Sequence, residues 1–164
     1  MKNRKNFVYV LAVMILMVST VALFTGCDHI YKQKLVGVWE VKKVSADGLS
    51  MEFPMDIMGV KTYSYVYFTA DGKFGMATKI EGNPISSMNG LFKNNLEEEY
   101  TIKGSKITVK KGNTEEVGTF ELKGTNLILK TKNDGKEASI EAVKTASPSL
   151  DDIKNAKKLT TPSM

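Results

Sequence analysis

Short runs of β-favouring residues, separated by glycine-containing turns at even spacing, constrain the fold of this chain more than any other feature. The runs are rich in Val, Ile, Tyr, Phe and Thr, and the turn dipeptides recur from Asp47-Gly48 to Asp134-Gly135. This spacing is typical of an antiparallel sandwich or barrel built from consecutive hairpins. We therefore predict an all-β domain with eight strands. They lie near residues 35–45, 61–69, 73–80, 97–103, 106–111, 115–123, 126–132 and 136–144.

Two of the predicted hairpins are near copies of each other. Residues 100–110 (YTIKGSKITVK) align with residues 120–130 (FELKGTNLILK). The Gly-Ser and Gly-Thr dipeptides suit a two-residue type II′ turn, in which glycine takes the positive φ. The resulting cross-strand pairs are Tyr100 with Val109, Ile102 with Ile107, Phe120 with Leu129 and Leu122 with Leu127. Because side chains alternate along a strand, all four pairs fall on one face, which we predict to be the core.

Three tyrosines alternate along one predicted strand. A three-residue turn after this strand places Phe68 opposite Phe74, with both rings inward. In that register Tyr63, Tyr65 and Tyr67 share the outward face. Tyrosine rings bury a large apolar area while their hydroxyl groups stay solvated. The stripe is therefore either covered by a loop or by the C-terminal segment, which we favour, or it is a contact surface for another protein.

Two apolar segments interrupt the hairpin pattern, at residues 49–60 and 81–96. Both combine Pro and Gly with Met, Ile, Leu and Phe, so they are loop-like in composition but unusually apolar. Long apolar loops at a barrel end either line a ligand entrance, to which flexible Met side chains are suited, or simply plug that end. For the first alternative, the predicted ligand-binding residues are Met55, Met58, Met88 and Phe92.

The N-terminal 26 residues have the organisation of a secretory signal. A basic start (residues 1–6) precedes an apolar run of 18 residues (7–24), and small residues stand directly before Cys27, the only cysteine of the chain. The sequence FTGC at residues 24–27 resembles the lipobox of bacterial lipoproteins. The alternative is a membrane-spanning anchor, since 18 residues is the lower limit for crossing a bilayer.

The lipoprotein resemblance implies cleavage before Cys27, a diacylglyceryl thioether on its sulfur, and acyl chains such as palmitate. Two or more acyl chains hold a protein stably on a bilayer. The mature chain is then expected outside the cytoplasm, lipid-anchored to a bacterial membrane through a tether at residues 27–33. His29, the only histidine, falls in this tether, and we expect it to be solvated, without a catalytic or metal-binding role.

The first predicted strand begins with Gly37-Val-Trp39, and the corner at residues 68–74 reads FTADGKF. Together with the two similar hairpins, these residues resemble the lipocalin-like domains of bacterial lipoproteins. The resemblance implies an up-and-down antiparallel barrel over residues 34–144, with Gly37 and Trp39 at its closed end and a small apolar ligand inside. In many lipocalins an Arg covers this Trp. The only arginine of this chain precedes the domain, so only a lysine such as Lys144 can substitute.

Composition argues against several other functions. Three of the 23 basic residues precede Cys27, so the remainder carries 20 basic residues, all of them Lys, against 18 acidic ones. Nucleic-acid binding relies on clustered Arg and a strong positive field, and is therefore not expected. No His or Cys lies between residues 30 and 164, which argues against His-based catalysis, thiol chemistry and most zinc sites. We expect no enzymatic activity, no metal and no cofactor.

Residues 145–164 are predicted to form a tail that contains a short helix. Ser149 suits a helix N-cap, Asp151 and Asp152 suit the first turn, and the lysines from Lys157 onward suit the last turn. This charge order is favourable for the helix dipole. Because the apolar face of the segment is narrow, we expect only a short helix.

Two functions are consistent with these patterns. In the first, which we favour, the barrel binds a small apolar ligand through a mouth formed by the Met-rich segments, since an eight-strand barrel can hold one small ligand. The small residues Gly75, Ala77 and Gly118 favour such a cavity. In the second, side chains fill the barrel, and the tyrosine stripe or the loops bind another protein.

Overall fold

The computed structural model describes residues 28–94, 97–133 and 136–158. The predicted signal segment (residues 1–26) and Cys27 lie outside the described residues, as does the end of the tail from residue 159. Among the described residues, no helix is long and apolar enough to cross a lipid bilayer.

Strands dominate the described part of the chain. They are β1 (Gly37–Ala46), β2 (Leu49–Glu52), β3 (Met55–Ile57), β4 (Val60–Phe68), β5 (Lys73–Glu81), β6 (Gly90–Lys93), β7 (Glu98–Lys103), β8 (Lys106–Lys111), β9 (Thr114–Lys123), β10 (Asn126–Asn133), β11 (Lys136–Thr145) and β12 (Lys157–Lys158). Residues 28–35 are helical and form α1. A second helix, α2, spans Leu150–Lys154, and a 3-10 helix spans Ser86–Met88.

Eight of these strands close into one antiparallel barrel. Their order is β5-β7-β8-β9-β10-β11-β1-β4, and the pairing of β4 with β5 completes the circle. Neighbours in the barrel follow one another along the chain once the short β2, β3 and β6 are set aside, so the barrel is of the up-and-down type. The predicted fold class is confirmed, and each predicted strand matches a barrel strand to within two residues at either end.

The predicted hairpin registers are also confirmed. The observed pairs include Tyr100 with Val109, Ile102 with Ile107, Phe120 with Leu129, Leu122 with Leu127, and Phe68 with Phe74. Partners in a cross-strand pair share one face of the sheet. These pairs therefore direct aromatic and aliphatic side chains into the barrel.

The interior core fills the half of the barrel nearest α1. Its most buried members are Leu35, Trp39, Val41, Val66, Phe68, Tyr100, Ile107, Phe120, Leu127 and Ala142. The Phe68 ring lies 5.1 Å from the ring of Tyr100 in an edge-on arrangement, a geometry that aromatic pairs prefer. This half of the barrel is therefore closed by side chains.

The outward tyrosine stripe is covered by the C-terminal segment. Ile153 of α2 packs in one cluster with Tyr65 and Tyr67, which are 4% and 1% exposed, and Tyr63 lies half-buried beside them. A capping box at Ser149 begins this helix. The expected cover is thus confirmed, and the two most buried tyrosines are not available to another protein.

The helix α2 ends sooner than predicted. Asn155 closes it, and Lys157 and Lys158 form β12, which pairs in parallel with β6. The Lys93 ammonium of β6 also donates a hydrogen bond to the Lys154 carbonyl. Backbone pairing with β6 takes the place of the last predicted helical turn, and it supplies hydrogen-bond partners for the backbone of Lys157 and Lys158.

The two apolar segments that were expected as loops contain short strands. β2 pairs with the end of β1, β3 with the start of β4, and β6 with the end of β5. They occupy places where the barrel strands diverge, since β1 and β4 pair only as far as Glu40 and Tyr65, and β5 and β7 only as far as Phe74 and Glu98. Phe53, between β2 and β3, packs against the interior core.

Much of the predicted tether is helical and contacts the barrel. The Asp28 carboxylate accepts a hydrogen bond of 2.7 Å from the backbone N–H of Gly104, in the turn between β7 and β8. The Tyr31 ring meets the Phe120 ring edge-on at 5.8 Å. Partners so distant in sequence give no local signal, which is why the sequence suggested a simple tether. The segment instead positions the closed end of the barrel.

Candidate functional site

The interior core stops short of the end of the barrel opposite α1, where a cavity of about 590 Å³ lies. Strands β1, β5 and β7 to β11 surround it. Its volume falls within the range of about 300–1,000 Å³ that is typical of small-molecule sites. The barrel therefore combines a filled half with a hollow half.

Apolar side chains form the bed of the cavity. They are Val44, Phe74, Met76, Ile107, Val109, Leu129 and Ile140. All except Val44 continue the period-two alternation that places the core residues inward. Val44 faces inward because the register of β1 shifts by one residue between Val41 and Lys43. Such a surface binds apolar molecules through the hydrophobic effect, without requiring directional contacts.

The three small residues that favoured a cavity have different roles. Gly118 lies on the inward face of β9, where the absence of a side chain leaves room, and a Cβ there would come within 2.6 Å of the Lys130 carbonyl. Gly75 also borders the cavity, but its outward side is filled by the Tyr67 ring. Ala77 faces outward, in the cluster covered by α2. Gly118 is thus the one of the three that faces the cavity.

Three charged side chains face the mouth of the cavity. Glu98 pairs across the strands with Phe74, and Glu116 pairs with Val109, so both carboxylates share the inward face with those apolar partners. Lys111 follows Val109 by two positions on β8 and points the same way. All three border the cavity, with Glu98 half-buried and the other two exposed.

The structure places the predicted ligand-binding residues away from this cavity. The cavity lining includes none of Met55, Met58, Met88 and Phe92. Met58 is fully exposed and Met88 is 47% exposed, while Met55 and Phe92 are half-buried in β3 and β6. The expected Met-rich mouth is therefore not the mouth of this cavity, because strand pairing holds these segments beside the barrel wall.

The closed end is organised around Trp39. Its indole N–H donates a hydrogen bond of 2.8 Å to the Leu35 carbonyl at the end of α1. The Lys144 ammonium lies 4.8 Å from the Trp39 ring centroid and donates hydrogen bonds of 2.8 Å to the carbonyls of Lys34 and Val36. Lys144 thus takes the position that the resemblance assigned to an arginine.

Gly37 allows this arrangement at the start of β1. Its φ of 129° is a conformation that L side chains rarely adopt, and a Cβ there would come within 3.1 Å of the Lys144 side chain. Burial lowers the pKa of Lys144 below its ordinary value. The closed end is therefore a structural plug, in which a lysine takes part in helix capping.

The described residues contain no cluster of three or more His, Cys, Asp or Glu side chains that could hold a metal ion. His29 is exposed, and its ring forms a hydrogen bond of 3.0 Å with the Gln33 side chain on α1.

The model of a lipocalin-like domain family matches residues 35–129. This chain belongs to that family. The match begins at the buried Leu35 and ends at Leu129 in the cavity bed, so it covers most of the lipocalin-like barrel. No curated protein and no solved structure matches the chain.

Sequence reasoning missed most of the lining of this lipocalin-like cavity, although the signal was present. Met76 continues the inward alternation of Phe74, and Ile140 lies opposite Leu129 in the pairing of β10 with β11. Extending the period-two pattern to the strand ends would also have directed Glu98 inward. The apolar composition of residues 49–60 and 81–96 favoured them as the lining instead. Composition shows that a segment is apolar, but it does not show where the segment lies in the fold.

Proposed function

We propose that this lipocalin-like domain binds one small apolar molecule in the hollow half of its barrel and catalyses no reaction. The observation that carries the proposal is the cavity of about 590 Å³ with a bed of aliphatic and aromatic side chains. Burial of apolar surface there contributes roughly 25 cal/mol for each Å² removed from water. The family match supports the same function.

A binding measurement tests this part of the proposal. The full chain is placed in phosphatidylcholine nanodiscs, and the uptake of radiolabelled decanol is measured, with empty nanodiscs subtracted. We expect saturable binding of one molecule per chain, because decanol has an apolar chain and no charge. Uptake no greater than that of empty nanodiscs would contradict the proposed function.

The second part of the proposal is a lipid anchor on Cys27 that holds the domain outside the cytoplasm of a bacterium. Support comes from the basic start, the apolar run and the sequence FTGC at residues 24–27. The helix α1 adds a structural argument. Asp28, which follows Cys27 directly, is bound to the barrel through Gly104, so the anchor would attach to a part of the chain that is already folded.

Metabolic labelling with palmitate tests the anchor. Cys27→Ser removes the sulfur that carries the lipid, so we expect labelling to disappear and an unprocessed precursor to accumulate. Ser19→Ala, within the apolar run, is the matched control and should leave labelling intact. Unchanged labelling of the Cys27→Ser chain would refute the anchor, and a chain that is membrane-bound but never labelled would favour the membrane-spanning alternative.

A surface interaction module with a filled barrel is the weaker candidate. Its first form used the tyrosine stripe, whereas Tyr65 and Tyr67 are buried beneath Ile153. Its second form used the two apolar segments, and the exposure of Leu49, Ile57 and Met58 is the observation in its favour. The alternative also required a filled interior, and a cavity of about 590 Å³ lies inside the barrel.

A further inference from the structure

The charges at the cavity mouth distinguish between classes of amphiphilic ligand. Glu98 and Glu116 are inward by register, on either side of β8, and Lys111 lies on the same inward face between them. Two carboxylates and one ammonium give the mouth a net charge of −1. This charge lies beside the apolar bed, where the polar end of an amphiphile would rest.

Other basic side chains do not reverse this balance. Lys130 borders the cavity, but it stands between Leu129 and Thr131 on β10 and therefore belongs to the outward face. Among the described residues that line the cavity, Lys111 is the only inward-facing cation. No arginine occurs beyond residue 4, so the fork-shaped guanidinium that grips a carboxylate in two hydrogen bonds is absent from the domain.

The depth of Glu98 increases its influence on a ligand. It is half-buried and faces Phe74, whereas Glu116 and Lys111 are exposed. A charge that is partly shielded from water interacts more strongly than one in full contact with it. Of the three charged groups, the carboxylate of Glu98 is therefore expected to interact most strongly with the polar end of a bound ligand.

We infer that the ligand of this cavity is an apolar molecule with a cationic polar end, such as a long-chain amine, and not a fatty acid. The inference rests on the proposed function. The apolar body occupies the bed, and the ammonium lies at the mouth near Glu98 and Glu116. A carboxylate in that position would meet two like charges and one lysine.

Three probes with the same chain and different polar ends test this inference. Decylamine is cationic at pH 7, decanol is neutral and decanoate is anionic, following the ordinary pKa values of amines and carboxylic acids. Binding to the full chain in phosphatidylcholine nanodiscs is measured as for decanol alone. We expect decylamine to bind about tenfold more tightly than decanoate, with decanol between them. The preference should weaken as salt is added.

Matched variants assign the preference to the mouth. The double variant Glu98→Gln with Glu116→Gln removes both inward carboxylates, so the preference for the amine over the acid should vanish while decanol binding stays the same. The double variant Glu99→Gln with Glu115→Gln is the control. It removes the same charge from residues on the outward face, where they pair with Lys73 and Lys110.

Each outcome decides between the two proposals. Decanoate binding as tight as decylamine binding, or an amine preference that persists in the Glu98→Gln, Glu116→Gln chain, would overturn the cationic-ligand inference and leave the proposed function standing. Loss of the preference in the control chain would also overturn it, because overall charge would then be the cause. If none of the three probes binds above the blank, the proposed function fails, and this inference fails with it.

Discussion

At the scale of single residues, Lys144 connects the helix α1 to the barrel. Its ammonium donates to the carbonyl of Lys34 in the last turn of α1 and to that of Val36 directly after the helix, and it lies over the Trp39 ring. A cation is favoured at a helix C-terminus by the helix dipole, and a cation over an aromatic ring contributes about 0.5–1 kcal/mol at an exposed site. One side chain thus stabilises the plug of the closed end in two ways.

Replacement of Lys144 by Gln should weaken this plug. The variant loses the charge over the ring and one of the charge-assisted hydrogen bonds, so we expect the free energy of unfolding to fall by about 1–2 kcal/mol. Urea denaturation measures this change. Lys144→Arg keeps the charge and the donors and should lose less than half as much. Equal stability of the Gln variant and the wild type would contradict this role.

Two buried phenols make the stability dependent on alkaline pH. Burial raises the pKa of Tyr65 and of Tyr100 to about 12, and the nearby carboxylates of Glu40 and Asp71 add to the rise. The ordinary value is 10.0, so the folded chain holds these protons more tightly than the unfolded chain. Their contribution to stability is therefore complete below pH 10 and is lost as the pH rises through about 12.

Tyrosinate absorbance measured during alkaline titration checks this expectation. We expect the absorbance of Tyr65 and Tyr100 to change near pH 12, above the ordinary tyrosine value of 10.0, together with a falling free energy of unfolding between these two pH values. Tyr100→Phe should remove one of these two phenols from the absorbance change near pH 12. Ionisation of all tyrosines near pH 10, with the chain still folded, would show that the phenols are not buried as described.

At the scale of elements, the C-terminal strap (residues 150–158) covers the outside of the barrel. Ile153 is 1% exposed and lies in the cluster with Tyr65 and Tyr67. Ile153→Asp places a carboxylate in that cluster, so we expect a loss of about 3 kcal/mol or more in the free energy of unfolding. Urea denaturation measures this loss.

Lys154→Asp is the control for this variant, since it introduces the same side chain at an exposed position of the same helix. Lys154→Asp should lower the free energy of unfolding by less than about 1 kcal/mol. If both variants were equally stable, the strap would be a surface appendage and not part of the fold.

The barrel strands could be predicted because the residues that determine each strand and its pairing lie close together in the sequence. Turn residues set the register between strands that are close in sequence, and the period of two assigned Ile102, Ile107, Leu122 and Leu127 to the core face. The short strands β2, β3 and β6 could not be predicted in this way. Their pairing depends on where distant barrel strands diverge, a property of the closed barrel and not of residues 49–60 or 81–96.

The candidate site was predicted only in part, for a related reason. The expectation of a small apolar site inside a barrel agrees with the cavity, yet Met55, Met58, Met88 and Phe92 do not line it. Whether the inside of a barrel is filled or hollow depends on how side chains from seven strands meet. A sequence pattern assigns each residue to a face of the sheet. It does not give the empty volume that remains between the inward side chains of different strands.

At the scale of the whole molecule, the two ends of the barrel have opposite roles. The closed end carries α1, whose first described residue, Asp28, follows Cys27 directly. Consecutive Cα atoms lie about 3.8 Å apart, so a lipid on Cys27 would attach beside the closed end. The cavity is in the opposite half. If Cys27 carries the proposed lipid, we therefore expect the mouth to face away from the membrane.

Fluorophores at the two ends test this orientation on chain that carries the palmitate label, in vesicles with nitroxide-labelled headgroups. Lys103→Cys places the label beside the turn near Asp28, and Met58→Cys places it at an exposed residue of the other end. We expect strong quenching at residue 103 and little at residue 58. Equal or reversed quenching would contradict an orientation with the mouth away from the membrane.

The central claim, that the hollow half of the barrel holds an apolar ligand, is tested most directly by native mass spectrometry of the chain purified from its own host. The account predicts an added mass corresponding to one bound apolar molecule. This mass should be lost in Ala138→Phe, which fills the cavity, and retained in Thr119→Phe, which adds the same ring on the exposed outer face. A wild-type chain without added mass that also fails to take up decanol, or a bound molecule that persists in a folded Ala138→Phe chain, would contradict the claim.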